Sequence, residues 1–248
     1  MKIRIDKFLS TQAIATRSQA KEMLRAGRVL VNGTPVKAAD LKVDPEGDEI
    51  RVDGRVYGYQ EHLYLMLNKP QGVVSATDDK VHRTVLDLVP PELRRRGLFP
   101  AGRLDRDTVG FVLITDDGEF AHNILSPRHH VPKTYEAGLD GPIGENELSV
   151  LAQGVVLGDG TKCRPAELTV LQSGERPLIQ IVIVEGRYHQ IKRMFAAVGR
   201  RVLTLKRTKI GGLALDPSLK EGDCIAISPS NLEKIQMKTN SLTEDGED

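Results

Sequence analysis

Residues 101–118 read AGRLDRDTVGFVLITDDG, a charged segment followed by an apolar run that predicts a buried strand. Asp105 stands ahead of that strand, between Arg103 and Arg106. A solvated ion pair is one explanation for such an acid, and it is the structural one. The other is that neighbouring cations keep Asp105 ionised because it takes part in chemistry. Asp105 is therefore the first candidate catalytic residue.

Composition limits the class of protein. The chain has 248 residues, 40% of them hydrophobic and 4% aromatic, which fits a soluble globular protein with one medium domain and one small domain. No apolar stretch approaches the roughly 20 residues that span a bilayer, and the N-terminus lacks the apolar core of a signal peptide. Cys163 and Cys224 have no metal-binding or redox spacing. These features predict a cytoplasmic protein with reduced thiols and no membrane partner.

Charge is unevenly distributed, although the formal net charge is only +1. Residues 1–37 carry eight Lys and Arg against two acidic residues, whereas residues 38–61 carry three against seven. A phosphate backbone meets local charge, because screening limits electrostatic range to about 10 Å at 0.1 M salt. The basic N-terminal segment therefore favours an RNA partner.

The same segment contains a predicted helix and strand, in residues 16–33, TRSQAKEMLRAGRVLVNG. Thr16 and Gln19 have the spacing of a capping box, Gly27 is placed to end the helix, and an Asn-Gly turn follows the strand. Four cations are predicted to form one stripe along the helix: Arg17, Lys21, Arg25 and Arg28. Such a stripe is commonly a solvated face, but its place in the basic segment favours contact with RNA.

From about residue 62 to 236, strands and helices alternate irregularly. LIQIVIVEG and RVLTLKRTKIGG predict strands, and YHQIKRMFAAVG predicts a helix that ends at Gly199. The fold class is therefore α+β with a mixed, largely antiparallel sheet. The predicted domains are residues 1–58 and 62–236, followed by a disordered acidic tail at 239–248.

Two further segments concentrate charged and aromatic groups. SPRHHVPKTYEA places Lys133 and Tyr135 on one face of a strand, and EGRYHQIKRMFAAVG places Lys192 and Arg193 at the start of a helix. An acid, a tyrosine and a lysine in one cleft would supply a nucleophile or base, a stacking surface and a cation that keeps the acid ionised.

Two functions other than catalysis by an acid, a tyrosine and a lysine remain open. Asp105 and Asp107, with Asp116 and Asp117, would suit the Mg²⁺ site of a nuclease, although TDDG reads better as a turn with Asp117 capping a helix. The second rival is a ribosome-assembly RNA-binding protein with an inactive catalytic fold.

The histidines and the triple-arginine run carry weaker signals. His129 and His130 are adjacent, so on a strand they would point to opposite sides, and we predict no metal site. Residues 94–96, three consecutive arginines, are either a solvated loop or a contact to RNA phosphate.

These motifs carry two resemblances. Residues 2–55 resemble the small S4-type RNA-binding domain. The segments GRLDRDTVG, SPRHHVPKTY and EGRYHQIKRMFAAVG, with LNKPQG and LKRTKIGG, resemble the RsuA/RluB-type pseudouridine synthases, and this resemblance runs from residue 1 to about 230. It implies a monomeric isomerase that converts a flipped-out uridine of ribosomal RNA, the 16S RNA of the small subunit, into pseudouridine without a metal or cofactor.

The resemblance also implies roles for individual residues. Asp105 would be the catalytic nucleophile or base, Tyr135 would stack on the target uracil, and Lys192 would pair with Asp105. Ile191 would pack against the base, and Arg103 would hold the displaced RNA strand. Contacts to RNA are assigned to the helix cations already named and to Arg193. Attack on the sugar, addition to the ring and removal of a ribose proton all remain open as the role of Asp105.

Overall fold

The computed structural model describes residues 2–12 and 14–237, which divide into two compact units. The first comprises the described residues of Met1–Leu63 together with Pro90–Leu98, and the second comprises Tyr64–Val89 and the described residues from Phe99 onward. The predicted domain boundaries stay predictions, and the predicted tail at 239–248 lies outside the described residues. No helix within the described ranges is long and apolar enough to cross a membrane.

The first unit packs two helices against short antiparallel strands. Its elements are β1 (Ile3–Arg4), α1 (Ile5–Thr11), α2 (Arg17–Arg25), β2 (Val29–Val31), β3 (Thr34–Pro35), β4 (Lys42–Val43), β5 (Ile50–Val52) and β6 (Arg55–Tyr57). The strands form a β1–β4 pair and a sheet of order β3-β2-β5-β6. Phe8, Leu9, Leu24 and Ile50 are fully buried in the core of this unit.

Helix α2 forms as its sequence predicts. The Thr16 side chain accepts a hydrogen bond from the Gln19 amide, and the Gln19 side chain accepts one from the Thr16 amide, which completes the capping box. Ala20 and Leu24 are buried on its apolar face. Gly27 follows the helix with φ of +71°, the left-handed conformation in which a helix commonly ends.

The predicted helical stripe is wrong at Arg28. Because α2 ends at Arg25, Arg28 lies outside the helix and does not continue the row of cations. Its guanidinium instead donates two hydrogen bonds to Asp53, which raises the pKa of Arg28 and lowers that of Asp53. Arg28 is thus an ion-paired residue at the ends of the neighbouring strands β2 and β5, and the helical stripe is reduced to Arg17, Lys21 and Arg25.

The triple-arginine run also has a structural partner. Arg95 donates hydrogen bonds to the carbonyl oxygens of Gln60 and Glu61, all within the first unit. Contact between this run and RNA stays a prediction.

The second unit is built on one large sheet. Its elements are β7 (Tyr64–Lys69), β8 (Phe99–Ala101), β9 (Val109–Thr115), α3 (Gly118–Leu125), β10 (Lys133–Leu139), α4 (Glu145–Ala152), β11 (Glu167–Gln172), β12 (Leu178–Ile183), α5 (Gln190–Ala197), β13 (Val202–Ile210), β14 (Leu213–Ala214), β15 (Cys224–Ala226) and α6 (Pro229–Ile235). The predicted strands and the predicted helix with its stop at Gly199 are confirmed.

The sheet has the order β11-β12-β10-β13-β9-β7-β15, with β8 paired to β9 and β14 to β13. Among the strand pairs of the described residues, β13 and β9 alone run parallel. The prediction of an α+β fold with a mixed, largely antiparallel sheet is therefore confirmed. Phe111 and Leu113 of β9 pack with Phe120 and Ile124 of α3, so the strand that follows Asp105 is buried as predicted.

The histidine pair is not on a strand, contrary to the prediction. His129 ends a short 3₁₀ helix, Pro127–His129, and His130 has a left-handed φ of +50°. The His129 ring bonds to the carbonyl oxygen of Asn123, and the His130 ring contacts the Arg164 guanidinium. Within the parts of the chain that are described, no group of three or more His, Cys, Asp or Glu side chains is arranged to hold a metal ion.

Candidate active site

The turn that presents Asp105 is fixed by a buried lysine. Lys69, at the end of β7, is fully buried, and its ammonium donates to the carbonyl oxygens of Thr108 at 2.7 Å, Asp105 at 3.1 Å and Arg106 at 3.3 Å. Burial lowers the pKa of Lys69 to about 8. Lys69 therefore gathers three carbonyl groups of the turn around one charge, which sets the backbone from which the Asp105 side chain projects.

A serine holds the other side of the same turn. Ser75 Oγ donates to the carbonyl oxygen of Leu104 and accepts from the Leu104 amide, both at 3.0 Å. The Gly72 amide donates to the carbonyl oxygen of Arg106 at 2.8 Å. LNKPQG supported the family resemblance, but no role in fixing this turn was predicted for it.

The cation that pairs with Asp105 comes from helix α5. Lys192 Nζ lies 3.1 Å from Asp105 Oδ2 and 2.6 Å from Asp107 Oδ1, and His189 Nε2 lies 3.4 Å from Asp105 Oδ1. The neighbouring Arg106 turns away and contacts the His82 ring. The predicted pairing of Lys192 with Asp105 is thus present. Asp107 was placed beside Asp105 only in the nuclease hypothesis, and His189 was not predicted as a member of the cluster.

Charge in this cluster alters two pKa values. Burial by itself would lower the pKa of Lys192, but hydrogen bonds to Asp107 and Asp105 outweigh it, so the pKa is raised. The hydrogen bond from Lys192 lowers the pKa of Asp107. The ammonium therefore binds two carboxylates at once.

A buried glutamate determines where α5 begins. Glu185 accepts from the Arg187 guanidinium at 3.0 Å, from the Arg164 amide at 3.0 Å and from the Gln190 side chain at 2.7 Å. His189 precedes the helix with a left-handed φ of +48°, and its ring stacks on Tyr188. These contacts orient the first turn of α5, which carries Lys192. The sequence signal for this support is the run of polar residues between a buried strand and an apolar helix.

Tyr135 lies on β10 with its ring almost fully buried. Arg207 is its partner across the β10–β13 pairing and approaches the tyrosine hydroxyl to 3.5 Å. Lys133 lies on the same face, donates to the carbonyl oxygen of Ile124 at 3.0 Å, and has a pKa lowered to about 8 by burial and by the charge of Arg207. The predicted alternation of Lys133 and Tyr135 on one face is confirmed.

These groups line a common cavity within the second unit. Two adjoining cavities, of about 90 Å³ and 650 Å³, share walls. Five predicted site residues line one or both of them: Arg103, Asp105, Tyr135, Ile191 and Lys192.

Arg193 differs from the other predicted residues of α5. Its guanidinium pairs with Asp159 and contacts the carbonyl oxygen of Tyr188, and it is absent from the cavity walls. The helix cations Arg17, Lys21 and Arg25 lie in the first unit. Contact of these residues with RNA stays a prediction.

Comparison with known proteins places this geometry in a family. The sequence model described as RNA pseudouridylate synthase matches residues 63–197, which is more than half of the chain and includes Asp105, Tyr135 and Lys192. The chain belongs to the RNA pseudouridylate synthase family. The sequence model of the S4 domain matches residues 3–50 of this pseudouridine synthase.

Its relatives match over nearly the whole chain. An uncharacterized RNA pseudouridine synthase of Bacillus subtilis is 46% identical over 89% of this chain and 93% of its own length. Ribosomal small subunit pseudouridine synthase A of Haemophilus influenzae is 41% identical over 94% and 99%. A crystal structure of a pseudouridylate synthase is 41% identical, covers 94% of this chain and 99% of its own, and has a TM-score of 0.65.

Family membership decides between the three functions that the sequence left open. The protein is an RNA pseudouridine synthase, an isomerase that converts uridine in RNA into pseudouridine. Neither a Mg²⁺-dependent nuclease nor an inactive RNA-binding protein fits this family. One member of the second aspartate pair of the nuclease hypothesis also has another use, because Asp117 caps α3 by accepting from the Phe120 amide at 2.9 Å, as its sequence predicted.

Proposed function

We propose that this pseudouridine synthase modifies a uridine of small-subunit ribosomal RNA. Relatives named ribosomal small subunit pseudouridine synthase A, from Haemophilus influenzae and Escherichia coli, are 41% and 44% identical to this chain and match it across both units. Similarity over the RNA-binding S4 domain as well as the catalytic unit supports a shared class of substrate. The monomeric state and the cytoplasmic location stay predictions.

Asp105 carries the chemistry in this proposal. The supporting observation is its carboxylate on a cavity wall, with one oxygen against Lys192 and the other facing His189. Isomerisation breaks the bond between ribose C1′ and uracil N1 and forms one between C1′ and C5, so C5 loses a proton and N1 gains one. An ionised acid beside the sugar suits either attack at C1′ or removal of a proton.

The other cavity residues hold the base in place. The target uridine must leave its stack to reach the carboxylate of Asp105 on the cavity wall, which costs a few kcal/mol. Stacking on Tyr135 offsets part of that cost, since stacking on an aromatic ring contributes about 1–3 kcal/mol per base. Ile191 packs against the base, Arg103 holds the displaced strand, and Lys192 orients Asp105.

Purified protein tests this proposal on unmodified transcripts of small-subunit and large-subunit ribosomal RNA. Pseudouridine is expected at one position of the small-subunit transcript. Asp105→Asn is expected to abolish its formation while RNA affinity stays near wild type, because the change removes a charge and no volume. Asp78→Asn, at an exposed aspartate of the same unit, is the matched control. Modification confined to the large-subunit transcript would refute the proposed substrate. An active Asp105→Asn variant would refute the catalytic role of Asp105.

A further inference from the structure

Two buried cations flank Tyr135 in the structure, and family membership assigns neither of them a role. Lys133 precedes Tyr135 by two residues on β10, and Arg207 pairs with Tyr135 from β13. All three side chains line the larger cavity, whose wall also includes Asp105.

Neither cation is neutralised by an acid. Lys133 is 7% exposed and Arg207 is 4% exposed, and within the described ranges neither has a carboxylate oxygen within 4 Å. The two carboxylates on the same cavity wall are engaged elsewhere, Asp105 with Lys192 and Glu185 with Arg187.

The hydrogen bonding of the two cations is also incomplete. Lys133 donates to one protein oxygen, the carbonyl of Ile124. Arg207 Nε donates to the carbonyl oxygen of Phe111 at 2.7 Å, and its Nη1 is 3.5 Å from the Tyr135 hydroxyl. Arg207 Nη2 is buried and has no acceptor among the described residues. Burying a charge without a counter-charge costs free energy, so this arrangement indicates that a negative or oxygen-rich group binds there during function.

The reaction creates a group of this kind. When the bond between C1′ and N1 breaks and its electron pair stays on the base, uracil becomes an anion whose charge spreads over O2 and O4. C1′ then either bonds to an Asp105 carboxylate oxygen or is balanced by loss of the C2′ proton. The charge on the base is neutralised when C5 bonds to C1′. In that step either the ester bond between C1′ and Asp105 breaks and releases the carboxylate, or C2′ regains its proton from Asp105. N1 then takes a proton and C5 loses one.

We propose that Lys133 and Arg207 bind the carbonyl oxygens of the detached uracil and stabilise its negative charge while it turns. This inference rests on the proposed function, in which the base stacks on Tyr135. The two cations lie on the same face of the sheet as Tyr135. A base stacked on the Tyr135 ring would present its edge to them. Phosphate is the alternative ligand, and it is less suitable because a pocket that receives a flipped nucleotide reads its base.

Arg207→Met and Lys133→Met test this role, with Lys206→Met as the matched control. Lys206 is an exposed cation next to Arg207 on β13 and belongs to the opposite face. We expect each of the first two variants to lower the single-turnover rate at saturating RNA by about 100-fold, since loss of one preorganised donor to a developing anion costs about 10²–10³ in rate. The dissociation constant for RNA and its salt dependence should match wild type, and the control should keep the wild-type rate.

A salt titration separates base binding from phosphate binding. A true phosphate contact contributes about 0.7 to the slope of log affinity against log salt for single-stranded RNA. An Arg207→Met variant with a flatter slope and an unchanged rate would overturn the proposal in favour of a phosphate site.

A double-mutant cycle separates direct action from action through Tyr135. If Arg207 contacts the base, Arg207→Met in a Tyr135→Phe background should still lose about 100-fold in rate. No further loss in that background would overturn the proposal and make Arg207 a positioning residue for the tyrosine hydroxyl. Arg207→Lys, which keeps the charge, should recover part of the rate.

Folding and the proposed function are controlled separately. Circular dichroism and RNA affinity report whether each variant is folded. If Arg207→Met does not fold, the rate of Lys133→Met tests the proposal by itself. Wild-type protein that makes no pseudouridine would refute the proposed function. Suppose that the wild-type protein is active, Asp105→Asn is inactive and Lys133→Met has the wild-type rate. Those three results together would refute this inference and leave the proposed function standing.

Discussion

At the scale of single residues, two carboxylates of the site share the ammonium group of Lys192. Lys192 holds Asp105 and Asp107 together, and the side chain of Asp107 is the more exposed of the two. The paired cation is not one of the arginines adjacent to Asp105 in sequence, since Arg106 contacts His82 instead. Sequence adjacency thus singled out Asp105 as the candidate acid but did not predict the geometry of its neighbours.

Tyr135 should act mainly through its ring. Tyr135→Phe keeps the stacking surface, and we expect it to retain most of the RNA affinity and turnover. Tyr135→Ala should lose on the order of 1–3 kcal/mol of base stacking. Binding and single-turnover assays of the two variants check this, and equal behaviour of Phe and Ala would exclude stacking as the role.

Lys133 should make stability depend on pH in the alkaline range. Its pKa is about 8 in the native protein and 10.5 in an exposed lysine, so between these values the unfolded chain binds more protons. Stability therefore rises with pH across that window as the cost of burying the charge disappears.

Urea denaturation at pH 8, 9 and 10 measures this effect. The unfolding free energy of wild type relative to Lys133→Met should increase by on the order of 2 kcal/mol from pH 8 to 10. Subtracting the variant cancels the titration of Lys69, which is present in both proteins. A difference that stays constant with pH would contradict the prediction.

At the scale of elements, the active site depends on close approach of β9 and β13. Gly110 is paired with Arg207 in the parallel register, and its φ is +98°. A Cβ atom at this position would clash with the carbonyl oxygen of Arg207. Glycine here permits the strand carrying Arg207 to lie beside the strand that follows the Asp105 turn.

Gly110→Ala should therefore destabilise the protein by on the order of 1–3 kcal/mol, through backbone strain and separation of the two strands. Gly118→Ala is the matched control, because a Cβ at Gly118 meets no atom within 4 Å. Urea denaturation compares the two variants. Equal midpoints would show that β9 and β13 accommodate the methyl group without cost.

At the scale of the whole molecule, the cations predicted to bind RNA and the candidate catalytic acid lie in different units. Arg17, Lys21 and Arg25 lie on α2 in the first unit, and Asp105 lies in the second. We predict that these three cations contact phosphates, and phosphate contacts position RNA without reading its bases. Affinity and the rate of the chemical step should therefore respond to different substitutions.

Changing these three residues to Gln should flatten the salt dependence of RNA binding by roughly 2 units, at about 0.7 per phosphate contact. The single-turnover rate at saturating RNA should change little. Arg28→Gln should have a smaller effect on the slope than any one of the three, because Arg28 already pairs with Asp53. An unchanged slope with a collapsed rate would show that the helix face does not hold RNA.

The sequence by itself determined the local structure and identified Asp105 as the candidate catalytic acid. The capping box of α2, the strand after Asp105 and the helix ending at Gly199 follow from interactions between residues a few positions apart, which periodicity and turn chemistry record. Asp105, Tyr135 and Lys192 were found because their motifs are distinctive.

Apart from the pairing of Lys192 with Asp105, which the family resemblance implied, tertiary structure alone decided how those residues are supported. Lys192 reaches Asp105 across 87 positions, Lys69 reaches the Asp105 carbonyl across 36, and Arg207 reaches the Tyr135 hydroxyl across 72. Contacts of this length leave no periodic trace in the sequence. Burial of a cation is likewise invisible locally, because it depends on which strands the fold packs around it, and the free energy that keeps Lys69 and Arg207 in place comes from those distant partners.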